Sequence, residues 1–392
     1  MIPFIDLKTQ YERISAQVEA AVLGVMRGGT FILGPVVERL ERRLADFAGS
    51  PHCVSCASGT DALVMALMAK GVGPGDAIFT VPFTFMASAE AIATVGATPI
   101  FVDIQADSFN MDPAALKRAI AALAADDPTD HVLPRLDSSQ RSALRPRGII
   151  AVDLFGLPAD YAQINAIATQ HNLFVIEDAA QSFGASANNK RAGTLAEIAC
   201  TSFFPAKPLG CFGDGGAIFC DDAQLDAILR SIRVHGQGSH KYENVRLGIT
   251  GRLDTVQAAV LDVKLDIFAD ELEQRQRVAA RYDANIAAAG LALRTPSIPA
   301  GTVSAWAQYT VVAQDAAHRT QCQQQLAESG IPTMVYYPKG LHEQQAFASL
   351  GYVRGDFPVS EMMADRVFSL PMHPYLEDVE IDRIVASMGR KV

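Results

Sequence analysis

Between Phe47 and Phe219 the chain repeatedly sets a short apolar run against a longer amphipathic stretch, and this alternation leaves few folds open. The runs His52–Ser55, Ala77–Val81, Thr98–Val102, Gly148–Val152, Leu173–Ile176, Ala199–Phe203 and Gly216–Phe219 read as strands. Asp61–Lys70, Ala87–Val95 and Tyr161–His171 carry helical spacing between them. Strands that alternate with helices are joined by crossovers, which predicts an α/β fold with a mostly parallel, buried central sheet flanked by helices. In such a sheet a ligand lies beyond the carboxyl ends of the strands, where loops enter helices.

A chain of 392 residues also exceeds one small domain. Residues 121–147 break the rhythm with Asp126-Asp127-Pro128-Thr129-Asp130 and Arg145-Pro146-Arg147, and read as a surface excursion. From Asp254 to about Ala289 a long helical pattern puts Val256, Val260, Val263, Leu265, Ile267 and Phe268 on one apolar face. The expected division is an N-terminal arm with a large α/β domain over 1–253, then this linking helix and a small C-terminal α+β domain over 254–392.

Three segments at the expected ligand edge carry chemistry. In Ser202-Phe203-Phe204-Pro205-Ala206-Lys207-Pro208-Leu209-Gly210 a lysine follows an apolar strand, flanked by Pro and Gly rather than by charges. Desolvation there would lower its pKa and free its lone pair for condensation with a carbonyl, although a plain loop lysine fits the same pattern. Val175-Ile176-Glu177-Asp178-Ala179-Ala180-Gln181 puts an acidic pair at the end of a strand. Such a carboxylate can pair with a pyridinium nitrogen, or merely cap the next helix. Ser58-Gly59-Thr60-Asp61 opens a helix with a small residue and hydroxyls, the make-up of a phosphate cradle and equally of an ordinary cap. The order of the three, phosphate seat, carboxylate, lysine, is more telling than any one of them. Neither GxGxxG nor GxxxxGK[ST] occurs, so a nucleotide fingerprint is missing.

Composition removes other classes. The net charge of −10 is dispersed and acidic, which argues against nucleic acid or a membrane surface as partner. Met1-Ile2-Pro3-Phe4-Ile5-Asp6 lacks the basic start and apolar run of a signal peptide, and no apolar segment has bilayer length, so a cytoplasmic location is expected. Cys53 and Cys56 form a CxxC, but no second pair has metal-ligand spacing. The six cysteines are expected to be buried free thiols, and no metal is expected.

With these motifs assembled, the chain resembles the DegT-type nucleotide-sugar aminotransferases, a family of fold-type I pyridoxal 5′-phosphate (PLP) enzymes. The resemblance runs through Phe4-Ile5-Asp6-Leu7, Phe31-Ile32-Leu33-Gly34-Pro35, the Ser58, Asp178 and Lys207 segments, and Ser369-Leu370-Pro371-Met372-His373-Pro374. It implies PLP as cofactor, Lys207 as the lysine that holds it and then moves the proton, and Asp178 as partner of its ring nitrogen. Gln181 would contact the ring oxygen, Gly59, Thr60 and Ser202 would hold the phosphate, and Phe85 would stack on the ring. In Gly248-Ile249-Thr250-Gly251-Arg252-Leu253-Asp254 the third position is Thr250 where many relatives carry Asn, which puts a phosphate contact from the neighbouring subunit in doubt. A homodimer with shared active sites is still implied.

The turn Gly213-Asp214-Gly215-Gly216 resembles members that aminate carbon 3 of the sugar. The nearest likeness is to enzymes that convert UDP-2-acetamido-3-keto-glucuronate to its 3-amino product for surface-polysaccharide synthesis, with L-glutamate as donor. Arg233, His235 and Arg252 would then meet the anionic substrate, and Tyr336 and Tyr337 the sugar. The alternatives are amination of a 4-keto or another 3-keto sugar, and a non-catalytic PLP- or sugar-binding regulator. A cysteine desulfurase would need Cys211 mobile, in a turn too tight for it.

Overall fold

The computed structural model describes residues 2–240 and 242–389. Seven strands form the central sheet: β1 (His52–Cys56), β2 (Asp76–Thr80), β3 (Thr98–Phe101), β4 (Arg145–Val152), β5 (Phe174–Asp178), β6 (Ile198–Ser202) and β7 (Gly216–Cys220). Their order is β1-β7-β6-β5-β4-β2-β3. The pairs β2/β3, β2/β4, β4/β5 and β5/β6 are parallel, and β7 runs antiparallel to both of its neighbours, β1 and β6. Every residue of β2, β5 and β7 is buried, which is why they carry continuous apolar runs such as Ala77-Ile78-Phe79 and Phe174-Val175-Ile176 rather than an alternating pattern.

The pleat sorts neighbouring side chains into two cores. Ile149, Ala151 and Val175 pack on one face with the helices Pro113–Ala125 and Tyr161–Gln170, whereas Ile150, Ile176 and Ile218 pack on the other with Gly59–Ala69 and Ala223–Ile232. A third core builds on Phe183, Phe203, Phe219 and Phe268. A fourth surrounds Tyr282, Tyr309, Val311 and Phe368 near the C-terminus, where strands Tyr309–Val312 and Val367–Leu370 pair antiparallel.

The helix Thr255–Ala288 joins these last two cores, giving Leu261, Leu265 and Phe268 to one and Val278, Tyr282 and Ile286 to the other. Its inner face differs from the one periodicity predicts. Val256, Val263 and Ile267 are only half-buried, while Lys264, Glu271 and Arg275 are buried with the apolar residues. The segment 121–147 is also less detached than its composition predicts. The helix Pro113–Ala125 extends into it, Leu133 is buried, Arg135 pairs with Asp356, and β4 begins at Arg145.

The cysteines are all buried free thiols, with Cys53 and Cys56 both on β1. Among the described residues no helix is long and apolar enough to cross a membrane, and no group of His, Cys, Asp or Glu could hold a metal ion.

Candidate active site

The carboxyl ends of β1, β2, β4, β5 and β6, with the start of β7, meet at one edge of the sheet. Register fixes this meeting: Gly216 opens β7 between Cys56 of β1 and Ser202 of β6. A β-carbon on Gly216 would lie 2.4 Å from the Ser58 carbonyl oxygen, and one on Gly59 would lie 2.6 Å from Ser202 Cβ. Only glycine permits this approach, so the start of the helix Gly59–Ala69 sits directly against Ser202. Ser58 Oγ accepts from the Asp61 amide at 3.0 Å. That cap leaves the Gly59 and Thr60 N–H groups without intrahelical partners, beside the Ser202 hydroxyl, where an anion would complete them.

Asp178 ends β5, is 5% exposed, and accepts from Ser88 Oγ at 2.8 Å and from the Ala180 amide at 3.2 Å. Burial raises its pKa, while these hydrogen bonds and the charge of Lys207 oppose the rise. Lys207 lies in the turn after β6, its amide bonded to the Phe204 carbonyl. Burial lowers its pKa and Asp178 pulls the other way. Each group is thus felt by the other. An amine so desolvated sheds its proton more readily than a surface lysine, which is what a nucleophilic lysine requires.

Gln181 is oriented by its neighbours. The Phe155 amide donates to Oε1 at 2.8 Å, which leaves Nε2 as the donor facing the Tyr337 hydroxyl at 3.3 Å. Phe85 begins the segment before the helix Ala87–Thr94 and is 54% exposed, with its ring 6.3 Å from that of Tyr337. A large aromatic left open over a polar edge is a surface for stacking. Tyr336 lies beside it, its ring 6.3 Å from Phe4.

The match to the DegT/DnrJ/EryC1/StrS aminotransferase family extends over residues 12–389. The chain belongs to this family. A UDP-2-acetamido-2-deoxy-3-oxo-D-glucuronate aminotransferase of Pseudomonas aeruginosa is 46% identical, with 99% of each chain covered. The crystal structure of a DegT DnrJ EryC1 StrS aminotransferase from Brucella abortus superposes with a TM-score of 0.92 at 46% identity, over 99% of this chain and 98% of that one. NtdA of Bacillus subtilis, solved with the cofactor PMP, the aminated form of PLP, gives 0.85 at 26% identity, over 98% and 82%. The chain is a PLP-dependent sugar aminotransferase with the fold-type I architecture. Its residues fit the cofactor: a cradle that a single β-carbon would fill, a buried carboxylate, a desolvated lysine and an open aromatic face.

The remaining residues expected at the aminotransferase site divide. Arg233 is not available to a substrate: it is 6% exposed, and its guanidinium bonds Glu41 and the Ser55 carbonyl behind the sheet edge. Glu41 also accepts from Ser55 and Arg230, so Arg233 belongs to a buried ion-pair network. His235 and Thr250 are exposed and bond one another, Nε2 to Oγ1, at 2.8 Å. Arg252 keeps a buried Nε with no acceptor among the described residues, a donor in want of a partner. Ser88, Thr84 and Asp153 went unnoticed in sequence. The signal for the first two is their i, i+4 spacing across Phe85, on the segment that leads from β2 into the helix Ala87–Thr94.

Proposed function

We propose that this chain transfers the amino group of L-glutamate to carbon 3 of a keto UDP-sugar, UDP-2-acetamido-3-keto-glucuronate, as a cytoplasmic homodimer that serves surface-polysaccharide and O-antigen synthesis. The observation that carries the chemistry is the mutual influence of Lys207 and Asp178 at an edge furnished with an anion cradle. The likeness to the Pseudomonas aeruginosa enzyme over nearly the whole chain supports the substrate. When bound, PLP supplies an aldehyde that condenses with amines and a ring that absorbs the electrons released as a carbon–hydrogen bond breaks.

The protein's part follows from its residues. Gly59, Thr60 and Ser202 hold the phosphate through N–H and hydroxyl donors. Asp178 would keep a proton on the ring nitrogen, Gln181 would donate from Nε2 to the ring oxygen, and Phe85 would offer its face for stacking. Lys207 would hold the cofactor and, when its amine is free, would carry a proton from the donor's α-carbon and later return one to the sugar. His235, Arg252, Tyr336 and Tyr337 are the proposed substrate contacts. Thr250 contributes to the phosphate only if its hydroxyl can accept from His235 while donating outward, which a single hydroxyl can do. A binding-only regulator would have no use for the lysine, carboxylate and amide together.

The test is the absorbance of the PLP-loaded protein titrated with the UDP-linked 3-amino-glucuronate sugar. Conversion of the lysine-bound cofactor to its aminated form is expected. A spectrum that responds to glutamate but not to this sugar would refute the substrate and leave the aminotransferase.

A further inference from the structure

Two serine and threonine hydroxyls behind Asp178 have no part in the scheme above. Ser88 Oγ lies 2.8 Å from Asp178 Oδ2, and Thr84 Oγ1 lies 3.2 Å from Ser88 Oγ. Each residue is 1% exposed. Their direction can be deduced. An ionised carboxylate has no proton to give, so Ser88 donates to Asp178, its one proton is spent there, and Thr84 must donate to Ser88. The two hydroxyls therefore form a chain whose dipoles all point their positive ends at the carboxylate, in a dry setting where such chains reinforce one another.

We propose that Ser88, seconded by Thr84, is a positioning residue that keeps Asp178 ionised and aimed at the cofactor's ring nitrogen. The inference rests on the reading above that Asp178 meets that nitrogen.

The surroundings explain why help is needed. Lys207, from the turn after β6, favours the Asp178 anion. Asp153, just past the end of β4, is a buried carboxylate that feels the Asp178 charge and is itself raised to about 7, chiefly by burial, and Glu177, beside Asp178 on β5, is a buried carboxylate raised by burial and by Asp153. Tyr161, Tyr337 and Cys200 also feel the Asp178 charge, and burial pushes all three up, which keeps them neutral. None of these acids can borrow a donor from another. Asp153 accepts from Tyr161, Ser182 and the Ala159 amide, and Glu177 accepts from the Gly193 and Leu195 amides. Asp178 has Ser88 and one longer amide contact. Removing the Ser88 hydroxyl leaves a single donor at 3.2 Å on a carboxylate that burial already pushes toward its neutral form.

The experiment compares the PLP-loaded wild type with Ser88→Ala, Ser88→Thr and Thr84→Val. Single-turnover rates with glutamate are followed across pH, and the pH at which the lysine-bound cofactor changes colour is read alongside. In Ser88→Ala the acid limb of the rate profile is expected to move up by about one pH unit, the tenfold that a lost charge-assisted hydrogen bond is worth. The colour change also moves up, because a less positive ring nitrogen lets the lysine nitrogen take a proton more easily. Ser88→Thr restores both positions, and Thr84→Val shifts both in the same direction by less. A merely structural serine would lower rates at every pH and move neither midpoint. Unmoved midpoints in Ser88→Ala and in Thr84→Val, in proteins whose cofactor spectrum is otherwise normal, would overturn the relay alone. A wild type with no lysine-bound cofactor would overturn the reading of Asp178 and the relay with it.

Discussion

Lys264 offers the sharpest quantitative test of how the catalytic edge is held. It sits on the helix Thr255–Ala288, is 2% exposed, and donates from Nζ to the Gly210 carbonyl at 2.6 Å, three residues beyond Lys207. Its ammonium also lies 4.6 Å from the Phe212 ring centre, and Gln257, two turns earlier on the same face of the helix, accepts from the Phe212 amide. Burial lowers the Lys264 pKa from 10.5 to about 8, partly offset by Glu271. The folded state therefore releases this proton before the unfolded chain does. Between pH 8 and 10.5 the unfolded chain binds more protons, so stability rises with pH in that window and the gain is absent below it. At neutral pH, charging the buried amine costs about 3 kcal/mol. Lys264→Met removes that cost but leaves the Gly210 carbonyl without its donor, at about 1–3 kcal/mol. The two nearly cancel at pH 7, where wild type and variant should unfold at similar urea concentrations. At pH 9.5 the wild type should lead by about 2 kcal/mol more than at pH 7, because only it gains from deprotonation. Urea titrations at fixed protein concentration measure this difference, and other groups cancel between the two proteins. A difference that stays flat from pH 7 to 9.5 would refute the reasoning.

Lys207→Ala should abolish multiple turnover while PLP remains bound without a covalent link, which borohydride reduction followed by intact mass would register as no fixed cofactor. Gly59→Ala sets a β-carbon 2.6 Å from Ser202 Cβ, and should weaken cofactor affinity at least ~10-fold with the fold retained, as read by PLP titration. Arg233→Ala should cost about 1.5–3 kcal/mol in urea unfolding, since it removes one of the two arginines that hold the buried Glu41 and leaves Arg230 as the other, with little change in the KM for sugar. A raised KM with unchanged stability would restore Arg233 to the substrate site.

The strands were legible because both faces of the sheet are covered: a strand buried on both sides carries a continuous apolar run, and the polar residues it keeps, such as Glu177 and Asp178, stand at its end. The glycine of the expected phosphate cradle, Gly59, has a backbone reason in the fold, since it stands where a β-carbon would collide with Ser202. What stayed hidden is consistent in kind. Lys264 is satisfied by Gly210, Glu271 by Gln10 and Tyr375, Arg275 by the Trp306 carbonyl, Arg233 by Glu41, and Asp178 by Ser88. Each partner lies at least 31 residues away in sequence. Periodicity assigns polar residues to the outside, so it drew the long helix with Val256, Val263 and Ile267 inward and missed its polar line. The same blindness sent Arg233 to the substrate, because a lone arginine near a motif looks free until its acid is seen.

That pattern bears on how the site works. Groups that touch the ligand recur in short motifs because they share one loop or strand end. The groups that fix their charge and angle arrive from other elements, and nothing local marks them. Lys264 and Gln257 reach the Lys207 turn from a helix that also enters the C-terminal core through Val278, Tyr282 and Ile286. A shift of that core against the sheet would therefore act on the Lys207 turn through two side chains.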